Sequence, residues 1–258
     1  MNFHPGFDIK TKKPMGFLYG EDVFGPEPEM RSLDSIRPSL RDPACHGPDQ
    51  VYAIAMDTGL KEDRPDLRDR GLLFGVVTYA KGRLGDEPIR SQGHIHKKSP
   101  RCRWSTPEVY EIWEGKAVIL MQERAEDDPG RCYAVSAEAG QVVIVPPGWA
   151  HATISADPES PLTFGAWCDK DYGFEYESVR AHKGMAFYPL LDKDGVLYWE
   201  HNSHYNNCAL IEKVPDSYDA LSLRAGEPIY NQYRQNKDAF EFVYAPDKYA
   251  PIWDEFIP

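Results

Sequence analysis

The chain has 258 residues, long enough to bury one full core with extensions, and its 41% hydrophobic and 27% charged residues are ordinary for a soluble globular protein. The formal net charge of −12 repels polyanions. Nucleic acid and anionic membranes are therefore excluded as expected partners, and an anionic metabolite would need a local basic patch.

Five cysteines (Cys45, Cys102, Cys132, Cys168 and Cys208) are odd in number and scattered, with no CxxC. That pattern argues against a disulfide framework and against a cysteine zinc site. The opening MNFHPGFDIKTKKPMG lacks an apolar leader core, and no later apolar run has membrane-spanning length. The expectation is a cytoplasmic protein.

In chain order, residues 1–50 are rich in Pro, Gly and charge and predict irregular structure packed on a core, with one short helix near 30–36. Residues 51–56 (VYAIAM) and 72–80 (LLFGVVTYA) predict strands, separated by the charged run 61–70. Six short apolar runs follow: PEVYEIWEG, KAVILMQE, RCYAVSA, GQVVIVPP, HATISA and PLTFGAWC, each bounded by Gly, Pro or charge. Strands of this length and spacing predict a mainly β sandwich or barrel over residues 51–182. Beyond it, FYPLLDKDGVLYWE predicts a hairpin turning at DKDG. The rest of 183–258 reads as a C-terminal arm, lying on the barrel or on a second subunit.

Three pieces carry chemistry. In GHIH, His94 and His96 are two apart on an expected strand, so both rings leave one face about 7 Å apart. In EVYEIWEG, Glu108 stands seven residues before Gly115; Glu111 and Glu114 are rivals, and the spacing favours Glu108. In GQVVIVPPGWAH, the Pro146–Pro147–Gly148 turn aims His151 back at the first sheet. Three imidazoles and one carboxylate suit one divalent ion, Fe(II), Mn(II), Ni(II), Co(II) or Zn(II). On a six-coordinate ion, two positions remain for substrate oxygens. The pair His201 and His204 lacks a carboxylate partner motif and reads as structural. Trp104, Trp113, Trp149 and Trp167 read as packing.

With these residues the sequence resembles the cupin superfamily, and within it the cupin-type glucose-6-phosphate isomerases. The likeness runs through GRLGDE (82–87), SQGHIH (91–96), EVYEIWEGKAVILMQ (108–122), VPPGWAHATIS (145–155) and DYG (171–173). It implies a double-stranded β-helix, a jelly-roll barrel holding the metal inside, with N- and C-terminal extensions. It also implies interconversion of glucose 6-phosphate and fructose 6-phosphate, with a phosphorylated sugar as partner. The sequence departs from the family in an eleven-residue spacer, 97–107, in Ser155 where Asn is common, in Lys170 where His is expected, and in the C-terminal 80 residues, which have no clear family counterpart.

The reaction needs a base, and Glu108 is the candidate. Phosphate needs donors. Thr78, Gly82, Ser91 and Gly93 are the family-like candidates, and the spacer adds Lys97, Lys98, Arg101 and Arg103 without an acid. Lys98 and Arg101 are taken as its phosphate contacts, against the alternative of a solvated loop. Tyr52, Tyr110 and Tyr172 are candidates for sugar oxygens. A symmetric homodimer is the expected assembly. The competing functions are a cupin oxygenase or decarboxylase, an isomerase of another sugar or sugar phosphate, and a non-catalytic sugar-binding cupin.

Overall fold

The computed structural model describes residues 3–171 and 173–258. Two antiparallel sheets face each other. The larger has six strands, in the order Val142–Val145, Glu108–Glu114, Thr163–Asp169, Leu72–Tyr79, Gln50–Met56 and Glu29–Ser32. The smaller has Ala150–Ser155, Lys116–Gln122, Cys132–Glu138 and Leu210–Lys213, the last pairing in parallel.

Over residues 108–169 the chain passes repeatedly between the sheets. Strand Glu108–Glu114 in one is followed at once by Lys116–Gln122 in the other. The corner is Gly115, with φ 83°, where a Cβ would lie 2.5 Å from the Pro161 carbonyl oxygen. Only glycine combines that backbone angle with that close approach. This winding is the double-stranded β-helix, and the fold is mainly β.

The strands are apolar on both faces because both faces are covered. Along Leu72–Tyr79 every residue is buried. Leu73, Val77 and Tyr79 point between the sheets, with Tyr110, Phe164 and Ala166. Leu72, Phe74 and Val76 point outward under the C-terminal segment, against Tyr230, Tyr233 and Phe240. Trp167 stacks on Tyr230 with ring centroids 5.3 Å apart and planes at 18°. A third cluster backs the smaller sheet, where Val118, Leu120 and Ile154 meet Phe187 and Tyr205.

Some expectations change. Residues 29–32, expected in irregular or helical chain, form the outer strand of the larger sheet, and the short helix is confined to Leu33–Ile36. Ser32 caps that helix, its hydroxyl accepting from Ser35 N–H. The charged run contains a helix, Arg64–Arg70, ended by Gly71 in the left-handed region. The hairpin is Phe187–Leu191 with Leu197–His201, turning at residues 192–196. Among the described residues, no helix is long and apolar enough to cross a membrane.

Candidate metal centre

His94 and His151 are joined by an isolated antiparallel bridge. His94 N–H donates to the His151 carbonyl at 3.0 Å, and His151 N–H donates back at 2.9 Å. His96 sits one step on, in the two-residue strand Ile95–His96 paired with Phe174–Glu175. His151 opens strand Ala150–Ser155 after the turn at Gly148, whose N–H donates to Ser105 Oγ at 2.9 Å. Glu108 is the first residue of its strand, opposite Val145. The sheet winding thus brings three separate motifs to one point.

One ligand atom from each of His94, His96, Glu108 and His151 lies within 4.8 Å of all the others. Glu108 Oε2 lies 3.1 Å from His151 Nε2 and 3.3 Å from His96 Nε2. Atoms bound to a common ion at about 2.0–2.2 Å stand about that far apart. The far ring nitrogens are fixed. His96 Nδ1 is 2.9 Å from the Thr106 carbonyl oxygen, and His151 Nδ1 is 3.2 Å from that of Trp149. A carbonyl accepts only, so Nδ1 carries the proton and the Nε2 lone pair of each ring faces the centre.

His94 Nε2 and His96 Nε2 are buried without a hydrogen-bond partner; the approach of His96 to Glu108 lacks hydrogen-bond alignment. Two orphaned imidazole nitrogens in a dry site are costly unless something binds them. Burial, reinforced by His151 and His96, pushes the His94 pKa well below its ordinary value, which keeps its lone pair free. Burial alone would raise the Glu108 pKa, but the adjoining His151 and His96 rings outweigh it and hold the carboxyl well below the usual range. Neutral imidazoles beside a carboxylate are the donor set a divalent cation takes. Tyr110 hydroxyl donates to Glu108 Oε2 at 2.8 Å, and the Cys168 thiol donates to Oε1 at 3.4 Å.

The rival carboxylates are elsewhere. Glu111 points to the outer face, accepting from Trp113 Nε1 at 2.9 Å and from Ile229 N–H at 2.8 Å. Glu114 is at the strand's far end.

His94 and Glu108 open onto a cavity inside the barrel. Of the residues expected to touch substrate, Tyr52, Ser91 and Tyr110 line it. Thr78, Gly82, Gly93, Lys98 and Arg101 are not among its lining residues. Thr78 is on the opposite face of its strand, its hydroxyl 3.0 Å from that of Thr163. Gly82 is in a turn, its N–H donating to the Pro158 carbonyl. Gly93 backs onto Met185 and Val179. Lys98 is exposed and bridged to Ser105. Arg101 donates to the Arg70 carbonyl at 3.1 Å and lies 3.8 Å from Asp171. The basic spacer therefore folds over the outside. Tyr172 lies outside the described residues.

The lining also holds Arg31, Tyr79, Gln92, Thr153, Phe174 and Tyr176, which the sequence reading did not select. Strand parity would have shown Thr153, two residues beyond His151 on the same strand.

The Glucose-6-phosphate isomerase (GPI) family model matches residues 38–207, about two-thirds of the chain. The chain belongs to that family. Glucose-6-phosphate isomerase of Pyrococcus horikoshii is 30% identical over 158 residues, covering 61% of this chain and 72% of its own. That of Pyrococcus furiosus is 33% identical over 137 residues, covering 53% and 62%. The one from Sinorhizobium medicae is 29% identical over 136 residues, covering 53% and 59%. Most of the curated relatives that the chain matches are thus spanned over little more than half their length.

Proposed function

We propose that this member of the glucose-6-phosphate isomerase family interconverts glucose 6-phosphate and fructose 6-phosphate, using one divalent ion held by His94, His96, Glu108 and His151. The observation that carries it is the set of four converging donors, two of them orphaned, with His94 and Glu108 lining a cavity inside the barrel. Membership of the family supplies the substrate class. The same reading makes the protein a cytoplasmic homodimer.

A divalent ion here would polarise the sugar's carbonyl and neighbouring hydroxyl oxygens. The chain's own residues would do the rest. Glu108 is the one carboxylate among the described lining residues, which makes it the candidate base. In the aldose-to-ketose direction it would take the C2 proton and return a proton to C1, while the O2 proton passes to O1. Tyr110, bonded to its Oε2, holds the carboxylate in place. Tyr52 and Ser91 supply hydroxyls to sugar oxygens. The apolar walls from Ile54, Val77 and Phe164 limit water access.

The test is direct. The chain is loaded with each candidate metal and assayed anaerobically for conversion of fructose 6-phosphate. Turnover with at least one metal is expected; stoichiometric metal binding with no turnover by any would overturn the reading. Running the reaction in deuterated water addresses the base. Solvent deuterium at the transferred position is expected, and its complete absence would point to a hydride passing directly between C2 and C1.

A further inference from the structure

The cavity's described lining contains one lysine or arginine, Arg31. It comes from strand Glu29–Ser32, which lies before the 38–207 stretch that matches the family. Arg31 pairs in register with Tyr52 on the neighbouring strand, and the register shifts immediately after it, between Arg31 and Ser32. A bulge of this kind re-aims the side chains beside it. The Arg31 side chain is 23% exposed, which puts it at the cavity mouth. Its ion-pair partner, Glu29, is 66% exposed and turned to solvent. Tyr52, paired with Arg31 across the two strands, lines the same cavity.

Tyr176 lies beside the histidine cluster. Its ring lies 5.9 Å from that of His94, and it lines the same cavity as Arg31. A ligand reaching from the histidine cluster to the mouth would therefore end against Arg31. Beyond His94 and Glu108, the remaining lining is aliphatic, aromatic or hydroxylic apart from Gly75, Met56 and the neutral amide of Gln92, which already accepts from Arg180 Nε at 2.9 Å. A phosphomonoester carries close to two negative charges at neutral pH, and burying them without a counter-charge is prohibitive. The spacer cations that sequence suggested for this task lie outside.

We propose that Arg31 receives the phosphoryl group of the substrate, so that the outer strand of the barrel, rather than the basic spacer, selects for a phosphorylated sugar. The proposal rests on the isomerase reading for the identity of the sugar. The guanidinium offers two parallel N–H donors to phosphoryl oxygens. Glu29 is released to water as the phosphate arrives, at little cost because an exposed ion pair is weak. Tyr52 adds a hydroxyl beside the same group.

The experiment uses metal-loaded full-length protein with Arg31→Met, Arg31→Lys and Glu29→Gln. Arg31→Met should raise KM for fructose 6-phosphate about 10- to 100-fold, with kcat within about threefold, because the contact is made in ground and transition states alike. Inorganic phosphate, titrated calorimetrically, should bind about tenfold or more weakly to Arg31→Met, with Arg31→Lys intermediate. Glu29→Gln should leave phosphate binding equal or tighter. Kinetics with unphosphorylated fructose should not respond to Arg31. An unchanged KM and unchanged phosphate affinity in a folded Arg31→Met would overturn the proposal. If that variant does not fold, Arg31→Lys with wild-type KM for fructose 6-phosphate and wild-type phosphate affinity would overturn it equally. Absence of turnover with every metal, while phosphate binding still depends on Arg31, would remove the isomerase reading and leave the anion subsite.

Discussion

His94 and His151 hold each other by their backbones, each N–H donating to the other's carbonyl, while their rings stand 4.3 Å apart at 60°. Two candidate ligands from separate motifs are thus locked in relative position. Pre-placement lowers the ordering cost of binding.

The bridge is a main-chain feature, so His94→Ala and His151→Ala should keep the fold and lose the ion. Metal affinity should fall by more than the roughly 10- to 100-fold expected from losing a group that only orients a ligand. Elemental analysis after gel filtration, with far-UV circular dichroism as the folding control, checks this. Full metal occupancy in either variant would exclude that histidine from the centre.

Tyr110→Phe removes one donor to Glu108 Oε2 and leaves the ring packed against Phe164 at 5.2 Å. Metal content should be unchanged, and kcat should drop by about tenfold, the worth of one hydrogen bond to a charged group. An unchanged kcat would show that Glu108 is positioned without it.

Glu111 is a buried acid whose pKa is pushed up to about 7, mainly by desolvation, against the two hydrogen bonds it accepts. The folded chain then holds a proton at this site where the unfolded chain has already lost it. The stabilisation is complete below the unfolded value near 4.5 and is lost as pH rises through about 7. Its size is about 3 kcal/mol by linkage. Glu111→Gln removes that dependence. Denaturant midpoints of variant and parent, measured between pH 4.5 and 8, should diverge in favour of the variant as pH rises; parallel curves would refute the assignment.

Arg90 is buried, paired with Glu87, and donates to the Ser39 and Ser91 carbonyls at 2.6 and 2.9 Å. It anchors the segment that leads into His94. Glu87→Ala leaves that guanidinium without its counter-charge, and a loss of about 3–5 kcal/mol is expected in urea unfolding. A loss under about 1 kcal/mol would mean that water reaches the site.

The barrel strands were legible because each apolar run is closed by Gly, Pro or charge, and the convergence of His94, His96, Glu108 and His151 because their spacing survives any detail of packing. Register was not legible. Thr78 and Tyr79 are adjacent, yet one meets Thr163 and the other lines the cavity. With both faces of the sheet covered, hydrophobic alternation does not mark the inner one. The spacer misled for a related reason. Its sign of charge is a local property, whereas the direction of Arg101 is set by Asp171 and the Arg70 carbonyl, neither of which is its neighbour in sequence. Arg31 was hidden in a segment whose composition resembles loop, and only its pairing with Tyr52 brings it to the cavity.

The bond from Ile229 N–H to Glu111 also bears on how such a chain diversifies. Its arm is a lid on the outer face of the sheet, with Tyr230 against both Phe74 and Trp167. A chimera that kept the strands of the candidate centre and exchanged the last thirty or so residues would strip Glu111 of one of its two hydrogen bonds and expose two large aromatics to water. Grafting the centre into another scaffold therefore means carrying the arm along, or redesigning Phe74, Glu111 and Trp167 together.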